Sequence, residues 1–175
     1  KPFGVMGMKK ICAITTIETT METFVIPAIR EFVAQGYEVS LICTMSDLFK
    51  EKYSTEFNLI PVEMVRGISL KEILTKPFEF YRIFKKEKFD YVQYATTNAS
   101  FYAGLPAMIC GIKTRVYCSW GLLYVGYKGI KRIILKAVEK ILCWTATHIT
   151  VASHKNKDYA VADGLFPAAK ASVIG

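Results

Sequence analysis

Three features of the sequence predict an α/β fold, in which a doubly wound, mainly parallel sheet of about seven strands carries helices on both faces. First, short apolar runs alternate with helix-periodic segments along the whole 175-residue chain. Second, the apolar runs are nearly continuous, as expected for strands that are buried on both sides. Third, a helix separates most successive strands, and right-handed crossovers of this kind give a Rossmann-like domain.

The predicted strands are short apolar runs at residues 10–15, 37–43, 57–61, 90–94, 114–118, 147–152 and 171–174. The predicted helices repeat apolar residues every three or four positions, at residues 24–35, 46–54, 69–86, 98–110, 128–145 and 153–164. Pro27 favours a start of the first helix near Thr23, because proline is best tolerated in the first turn. Ser69 and Glu72 have the spacing of a capping box.

Composition and charge narrow the classes of partner. The chain is 52% hydrophobic and carries a net charge of +8, which suits nucleic acid, an anionic membrane surface or a phosphorylated substrate. No recognised nucleic-acid motif is present, so nucleic acid is not expected as a partner. The five cysteines show no CxxC spacing, and with only two histidines beside them we expect no metal site.

Two stretches, residues 78–88 and 128–140, are basic and amphipathic. Helices of this kind can lie on an anionic membrane, although a packed helix with a solvated lysine face shows the same pattern. The residues predicted to form a membrane surface are Lys128, Lys131, Arg132 and Lys136.

Ligands of such sheets bind beyond the carboxyl ends of the strands. The first of these segments, residues 15–23, contains no glycine, which disfavours binding of NAD or FAD through a pyrophosphate loop. It offers hydroxyls and carboxylates instead, and we predict Thr16, Glu18 and Thr19 as substrate-binding residues. The alternative is that one threonine caps the helix and that the others are solvated.

Two further segments contribute candidates for substrate binding. Thr97 and Asn98 follow the strand at residues 90–94, and either could bind sugar hydroxyls or cap the next helix. Trp120 and Gly121 follow the strand at residues 114–118. An indole can stack on a sugar ring and donate one hydrogen bond, and Tyr124 is predicted to flank the substrate there.

The order and spacing of four segments resemble the N-terminal half of family 4 glycosyltransferases, which are retaining, nucleotide-sugar-dependent enzymes of the GT-B fold. The segments are MKKICAITTIETTMETFVIPAIREFVAQGYEVSLIC, FDYVQYATTNASFYAGLPAMICGIKTRVYCSWG, GIKRIILKAVEKILCWTATHITVAS and GLFPAAKASVIG. The resemblance is closest to bacterial members that act in the synthesis of cell-surface polysaccharides.

The resemblance implies a division of labour between two domains. Residues 8–175 would form the acceptor-binding N-terminal domain. Met8-Lys9-Lys10 has the pattern of a natural start, so residues 1–7 are interpreted separately as an expression remnant or upstream extension. A C-terminal domain, absent from this chain, would hold most of the nucleotide-sugar donor, which is a substrate rather than a cofactor, and this chain alone would be inactive. The acceptor would be a saccharide, typically lipid-linked, and the protein would be cytoplasmic, at the inner face of the membrane. No metal is usually required.

One departure from the family pattern affects the mechanism. Trp120 stands where the family often has a histidine near the reacting centre, so we assign no catalytic residue. Two alternatives remain at the level of sequence: half of a nucleotide-sugar epimerase of the same two-domain fold, and a non-catalytic binding module. An epimerase needs acid and base groups at the strand ends, which are scarce here.

Overall fold

The computed structural model describes residues 9–67 and 69–174, and the predicted extension at residues 1–7 lies outside this range. Its seven strands are all parallel and lie in the order β3-β2-β1-β4-β5-β6-β7. They are β1 Lys10–Ile17, β2 Glu38–Thr44, β3 Asn58–Pro61, β4 Tyr91–Ala95, β5 Thr114–Ser119, β6 His148–Val151 and β7 Ala171–Val173. The predicted doubly wound, parallel sheet is confirmed, and β3 and β7 are its edge strands.

The helices follow the predicted order, with short 3-10 turns at Leu123–Gly126 and Ala168–Lys170. They are α1 Glu18–Thr20, α2 Ile26–Ala34, α3 Asp47–Tyr53, α4 Leu70–Glu87, α5 Thr97–Ile109, α6 Gly129–Thr145 and α7 His154–Ala162. Ser69 caps α4 as predicted, because its hydroxyl accepts a hydrogen bond from the Glu72 backbone at 3.3 Å. None of the described helices is both long and apolar enough to cross a membrane.

The segment after β1 differs from the prediction. Residues 18–34 are helical throughout, because a π-helical turn at Met21–Val25 joins α1 to α2. Pro27 has no N–H to donate to the preceding turn, and a wider turn immediately before it keeps the segment helical. The predicted start near Thr23 is therefore wrong, and all of residues 15–23, predicted as a loop, are strand or helix.

The sheet separates two hydrophobic cores. Helices α2 and α3 cover one face, where their apolar residues pack on Ile11 and Ala13 of β1. Helices α4 to α7 cover the other face, packing on Cys12 and Ile14. Alternate residues of β1 thus point to opposite cores, which explains its continuous apolar sequence. Both layers leave the carboxyl ends of the strands uncovered, where the candidate site lies.

Candidate functional site

The centre of the site is the point where the strand order reverses, between β1 and β4. A crevice forms at such a point, because the connections from the two strands run to opposite faces of the sheet. Thr16 near the end of β1 and Thr96 after β4 join the two strand ends here. The Thr96 hydroxyl accepts a hydrogen bond from the Thr16 backbone at 3.2 Å, and the two hydroxyl oxygens are 2.6 Å apart.

Thr96 has an unusual backbone conformation, with φ of 70° and ψ of 144°. Residues other than glycine rarely adopt such angles, and their strain costs about 1–3 kcal/mol, often at functional sites. The Thr96 hydroxyl faces β1 and does not cap α5, which has no side-chain cap. The alternative in which Thr97 or Asn98 caps α5 is therefore wrong, and the first N–H groups of α5 stay available to a ligand.

A cavity of about 780 Å³ opens beside this junction. One wall carries four threonines and one asparagine, and two cationic residues reach the cavity from other segments. Its lining residues are Thr16, Ile17, Thr20, Arg66, Gly67, Thr96, Thr97, Asn98, Leu123, Tyr127, Lys131, Ile134 and Leu135. The other wall is apolar and comes from the segment after β5 and from α6. A ligand with hydroxyl or anionic groups at one end and an apolar portion at the other would match both walls.

The loop that carries Arg66 is held by side chains from α4 and α5. The Asn98 amide nitrogen donates hydrogen bonds to the carbonyls of Val65 at 2.9 Å and of Gly67 at 2.6 Å. The Glu72 carboxylate accepts from the Val65 backbone at 3.2 Å. Asn98, predicted to bind substrate, thus lines the cavity and also fixes the loop that places Arg66 there.

Thr16, Glu18 and Thr19, the three substrate-binding residues predicted near the end of β1, do not all reach the cavity. Thr16 lines the cavity, whereas Thr20, which was not predicted, occupies the position expected for Thr19. The Glu18 carboxylate accepts a hydrogen bond of 2.6 Å from the Ser46 backbone and so fixes the segment before α3. Helix formation at Glu18 accounts for this outcome, because successive helical residues point in different directions.

Three residues predicted after β5, Trp120, Gly121 and Tyr124, are not among those that line the cavity. The half-buried Trp120 ring packs on Phe24, with centroids 5.2 Å apart, over the face of the sheet that α2 covers. Gly121 is exposed, and Tyr124 is completely buried. The Tyr124 ring packs near Tyr159 and under the Arg132 guanidinium, so its side chain is part of the core and not a flank for a substrate.

The four cations predicted as a membrane surface divide into two groups. Arg132 donates to the Tyr159 hydroxyl at 3.0 Å, and Lys136 forms a 2.7 Å ion pair with Asp163. The hydrogen bond from Lys136 lowers the pKa of Asp163 below its ordinary value. Both side chains thus face α7 and the segment after it, while Lys131 reaches the cavity and Lys128 is exposed.

The sequence reasoning missed one buried acidic residue under the end of β5. Glu139 on α6 is only 2% exposed and accepts hydrogen bonds from Tyr117 at 2.8 Å and Ser119 at 3.4 Å. Burial raises the pKa of Glu139, while these hydrogen bonds act in the opposite direction. Its helical spacing from Leu142 and Cys143, three and four residues away, could have indicated its place on the buried face.

This carboxyl predicts a pH dependence of stability. The folded protein holds a proton on Glu139 more tightly than the unfolded chain does, because burial raises the pKa of Glu139. Its contribution to the free energy of unfolding is therefore present at acid pH and is lost as the pH rises toward neutral. Denaturant titrations at several pH values should show this fall in the free energy of unfolding for the native protein but not for Glu139→Gln. The control Glu51→Gln, at an exposed position, should show the same fall as the native protein. Identical pH profiles for the native and Glu139→Gln proteins would contradict the prediction.

An all-parallel, doubly wound sheet with a cavity at its switch point defines a Rossmann-like ligand-binding domain. A family model described as "Glycosyl transferase 4-like" matches residues 10–153. The capsular polysaccharide biosynthesis glycosyltransferase CapM of Staphylococcus aureus is 30% identical over 126 residues, covering 71% of this chain and 33% of CapM. The chain belongs to the glycosyl transferase 4-like family, as predicted from the sequence.

Solved structures share the fold at low sequence identity. The UDP-GlcNAc 2-epimerase of Methanocaldococcus jannaschii superposes with a TM-score of 0.70 and 16% identity, over 95% of this chain and 45% of that protein. MurG of Acinetobacter baumannii gives 0.62 and 17%, over 94% of this chain and 44% of that protein. The chain spans less than half of each matched structure, and the shared fold includes both glycosyltransferases and epimerases.

Proposed function

We propose that this chain is the acceptor-binding half of a glycosyltransferase that moves a sugar from a nucleotide-sugar donor to a saccharide acceptor. Family membership supports the transferase class. A second domain would supply most of the contacts to the donor nucleotide, and the acceptor would bind in the cavity between β1 and β4. Transfer without a metal ion, and inactivity of this chain alone, remain predictions.

The cavity is the observation that carries this proposal. Threonine hydroxyls can exchange hydrogen bonds with sugar hydroxyls, which both donate and accept, and the Asn98 side-chain oxygen can accept them. Arg66 and Lys131 add positive charge at the same cavity and suit an acceptor with a phosphate group. The strained junction of Thr16 and Thr96 holds the polar wall in one arrangement before any ligand binds.

The same lining favours acceptor binding over epimerisation. An epimerase must remove and return a proton at a sugar carbon, for which a carboxylate or imidazole within reach is the usual group. The described residues that line the cavity include neither. The acceptor-binding domain of a transferase does not need a carboxylate or imidazole in this cavity, because its main contribution is to position the acceptor hydroxyl.

We further propose that the acceptor is lipid-linked and that the protein works in polysaccharide synthesis at the cytoplasmic face of the membrane. The apolar wall of the cavity supports a ligand with a lipid portion. The similarity to CapM, a protein of capsular polysaccharide biosynthesis, supports a role of the same kind.

The cations of the cavity provide a test. Arg66→Gln and Lys131→Gln should each lower kcat/KM for the acceptor about tenfold, since each removes a charge-assisted contact. The change should appear mainly in KM for the acceptor and leave KM for the donor unchanged. The assay incubates the full-length protein with radiolabelled nucleotide sugars and a bacterial lipid extract, and measures label in the lipid phase.

The matched control is Lys113→Gln, an exposed lysine just before β5, at the opposite end of the strands. Absence of label transfer from every nucleotide sugar tested would refute a transferase that uses a lipid-linked acceptor. Normal transfer by both cavity variants would instead show that the acceptor binds elsewhere.

A further inference from the structure

One part of the cavity wall comes from a short turn with little backbone support. Residues 122–127 lie between β5 and α6 and contribute Leu123 and Tyr127 to the cavity lining. We call this segment the cavity turn. In the described part of the chain its backbone hydrogen bonds stay within the segment, with nitrogen–oxygen distances of 3.1 Å and 3.2 Å for two of them. Because these bonds do not tie the backbone to the sheet or to a helix, side-chain packing has to hold the cavity turn in place.

Tyr124 is the side chain that anchors the cavity turn. Of residues 120–131, all of which the structure describes, Tyr124 alone is buried, and it is completely so. The adjacent Leu123 is 46% exposed. Since a segment with few buried contacts opens at a low cost in free energy, the position of the cavity turn depends mainly on this one ring.

Side chains from α6, from α7 and from the residue after α7 surround the Tyr124 ring. The Arg132 guanidinium lies 5.8 Å from the ring centroid, within the range of a cation–π contact, and donates to the Tyr159 hydroxyl at 3.0 Å. The centroids of the Tyr124 and Tyr159 rings are 6.5 Å apart. Burial raises the pKa of Tyr124, and the nearby Asp163 carboxylate, which forms a 2.7 Å ion pair with Lys136, raises this pKa further. We call Arg132, Lys136, Tyr159 and Asp163 the Tyr124 socket.

We propose, on the basis of the function given above, that Tyr124 is a positioning residue for the acceptor. Its ring, held in the Tyr124 socket, fixes the cavity turn and thereby the apolar wall of the cavity. The cavity turn supplies Leu123 and Tyr127 to this wall, and α6 supplies Ile134 and Leu135. Because two residues of the socket also lie on α6, the ring keeps both parts of the wall in one arrangement, to which the acceptor binds.

Two cations that the sequence predicted as part of a membrane surface belong to this socket. Arg132 and Lys136 are half-buried, and their charged groups contact Tyr159 and Asp163. If Tyr124 and these cations served only the stability of the core, their removal would change the free energy of unfolding and leave KM for the acceptor unchanged. A positioning role predicts a selective rise in KM for the acceptor.

Hydrogen exchange of the full-length protein tests the anchor directly. The amides of Val125 and Tyr127 are hydrogen-bonded within the cavity turn, and in Tyr124→Leu they should exchange about tenfold faster or more than in the native protein. Tyr124→Phe keeps the ring and should exchange as the native protein does. The matched control is Tyr53→Leu, which removes a buried ring from α3 on the other face of the sheet and should leave both amides unchanged. Native exchange rates in Tyr124→Leu would overturn the proposal.

A milder variant tests the same anchor should Tyr124→Leu fail to fold. Arg132→Gln opens the Tyr124 socket at a half-buried position and creates no cavity in the core. It should speed exchange of the same two amides, whereas Lys140→Gln, at an exposed position of α6 outside the socket, should not. Equal exchange rates in Arg132→Gln and Lys140→Gln would contradict a role of the socket.

Transfer kinetics with the bacterial lipid extract as acceptor test the consequence for binding. Tyr124→Leu should raise the apparent KM for the acceptor about tenfold or more and leave KM for the donor unchanged, and Tyr124→Phe should restore the native value. Faster exchange of the cavity turn without a change in KM for the acceptor would overturn the positioning role. Transfer by no form, the native protein included, would instead refute the proposed function, and the exchange rates would still decide whether Tyr124 holds the cavity turn.

Discussion

Thr97→Trp is expected to lower kcat/KM for glycosyl transfer about 100-fold or more, which is about 2.7 kcal/mol of lost transition-state stabilisation. Thr97 is the first residue of α5 and lines the polar wall of the cavity. An indole at this position would occupy the space proposed for the acceptor saccharide and cover the first N–H groups of the helix. The acceptor hydroxyl could then no longer reach the donor.

The effect of Thr97→Trp on stability should be small by comparison. The Thr97 side chain is only partly buried and caps no helix, so the larger ring can extend into the cavity. Steady-state kinetics of the full-length protein and its thermal unfolding measure the two effects separately. Thr55→Trp, at an exposed turn outside the cavity lining, is the matched control. Comparable kcat/KM values for Thr97→Trp and native protein would place the acceptor outside the cavity.

The fold could be predicted from the sequence because each buried strand is a short apolar run between clear helix boundaries. Apolar residues are continuous in β1 and recur at helical spacing in α2. Ser69 marks the start of α4 through its cap. The start of the first helix could not be predicted from Pro27 alone. Its position depends on a π-helical turn, which tertiary packing of Met21 and Val25 stabilises and for which no local sequence rule exists.

The candidate site could be predicted only in part. Thr16 and Thr97, predicted to bind substrate, both line the cavity, because parallel strands bring their carboxyl ends together. Arg66 was missed because it lies in a loop that follows an edge strand and is held at the cavity by the side chains of Asn98 and Glu72. The prediction that Tyr124 flanks the substrate failed, because the sequence does not distinguish an exposed aromatic residue beside glycines from one that is buried in the core.

Helix α6 shows why a charge pattern alone misassigns a surface. Its cations at positions 131, 132 and 136 appear equivalent in the sequence, yet they point to the cavity, to Tyr159 and to Asp163. Helix α6 has three distinct sides: a buried side with Glu139, a side that faces the cavity, and an exposed apolar side. The prediction of a membrane surface therefore rested on cations with different surroundings, and the exposed apolar side of α6 consists of isoleucines and Trp144.

Gly104→Val is expected to lower the free energy of unfolding by about 3 kcal/mol, through overpacking of a close contact between helices. A Cβ atom at Gly104 would lie 2.6 Å from the Thr145 hydroxyl oxygen and 3.4 Å from its Cβ. Thr145 cannot move away easily, because it is buried at the end of α6 and its hydroxyl donates to the Leu142 carbonyl at 3.0 Å. Denaturant unfolding measures the loss.

A double-mutant cycle isolates the cause. In an unobstructed helix, Gly→Ala stabilises by about 1 kcal/mol, because glycine loses more backbone freedom on folding. Gly104→Ala should instead destabilise the native protein, since its new methyl group meets the Thr145 hydroxyl, and should become neutral or stabilising in a Thr145→Ala background. Gly126→Ala, with no neighbour within 4 Å, controls for the substitution itself. Equal effects of Gly104→Ala in both backgrounds would show that the α5–α6 contact has room for a side chain, and that helix packing there does not require glycine.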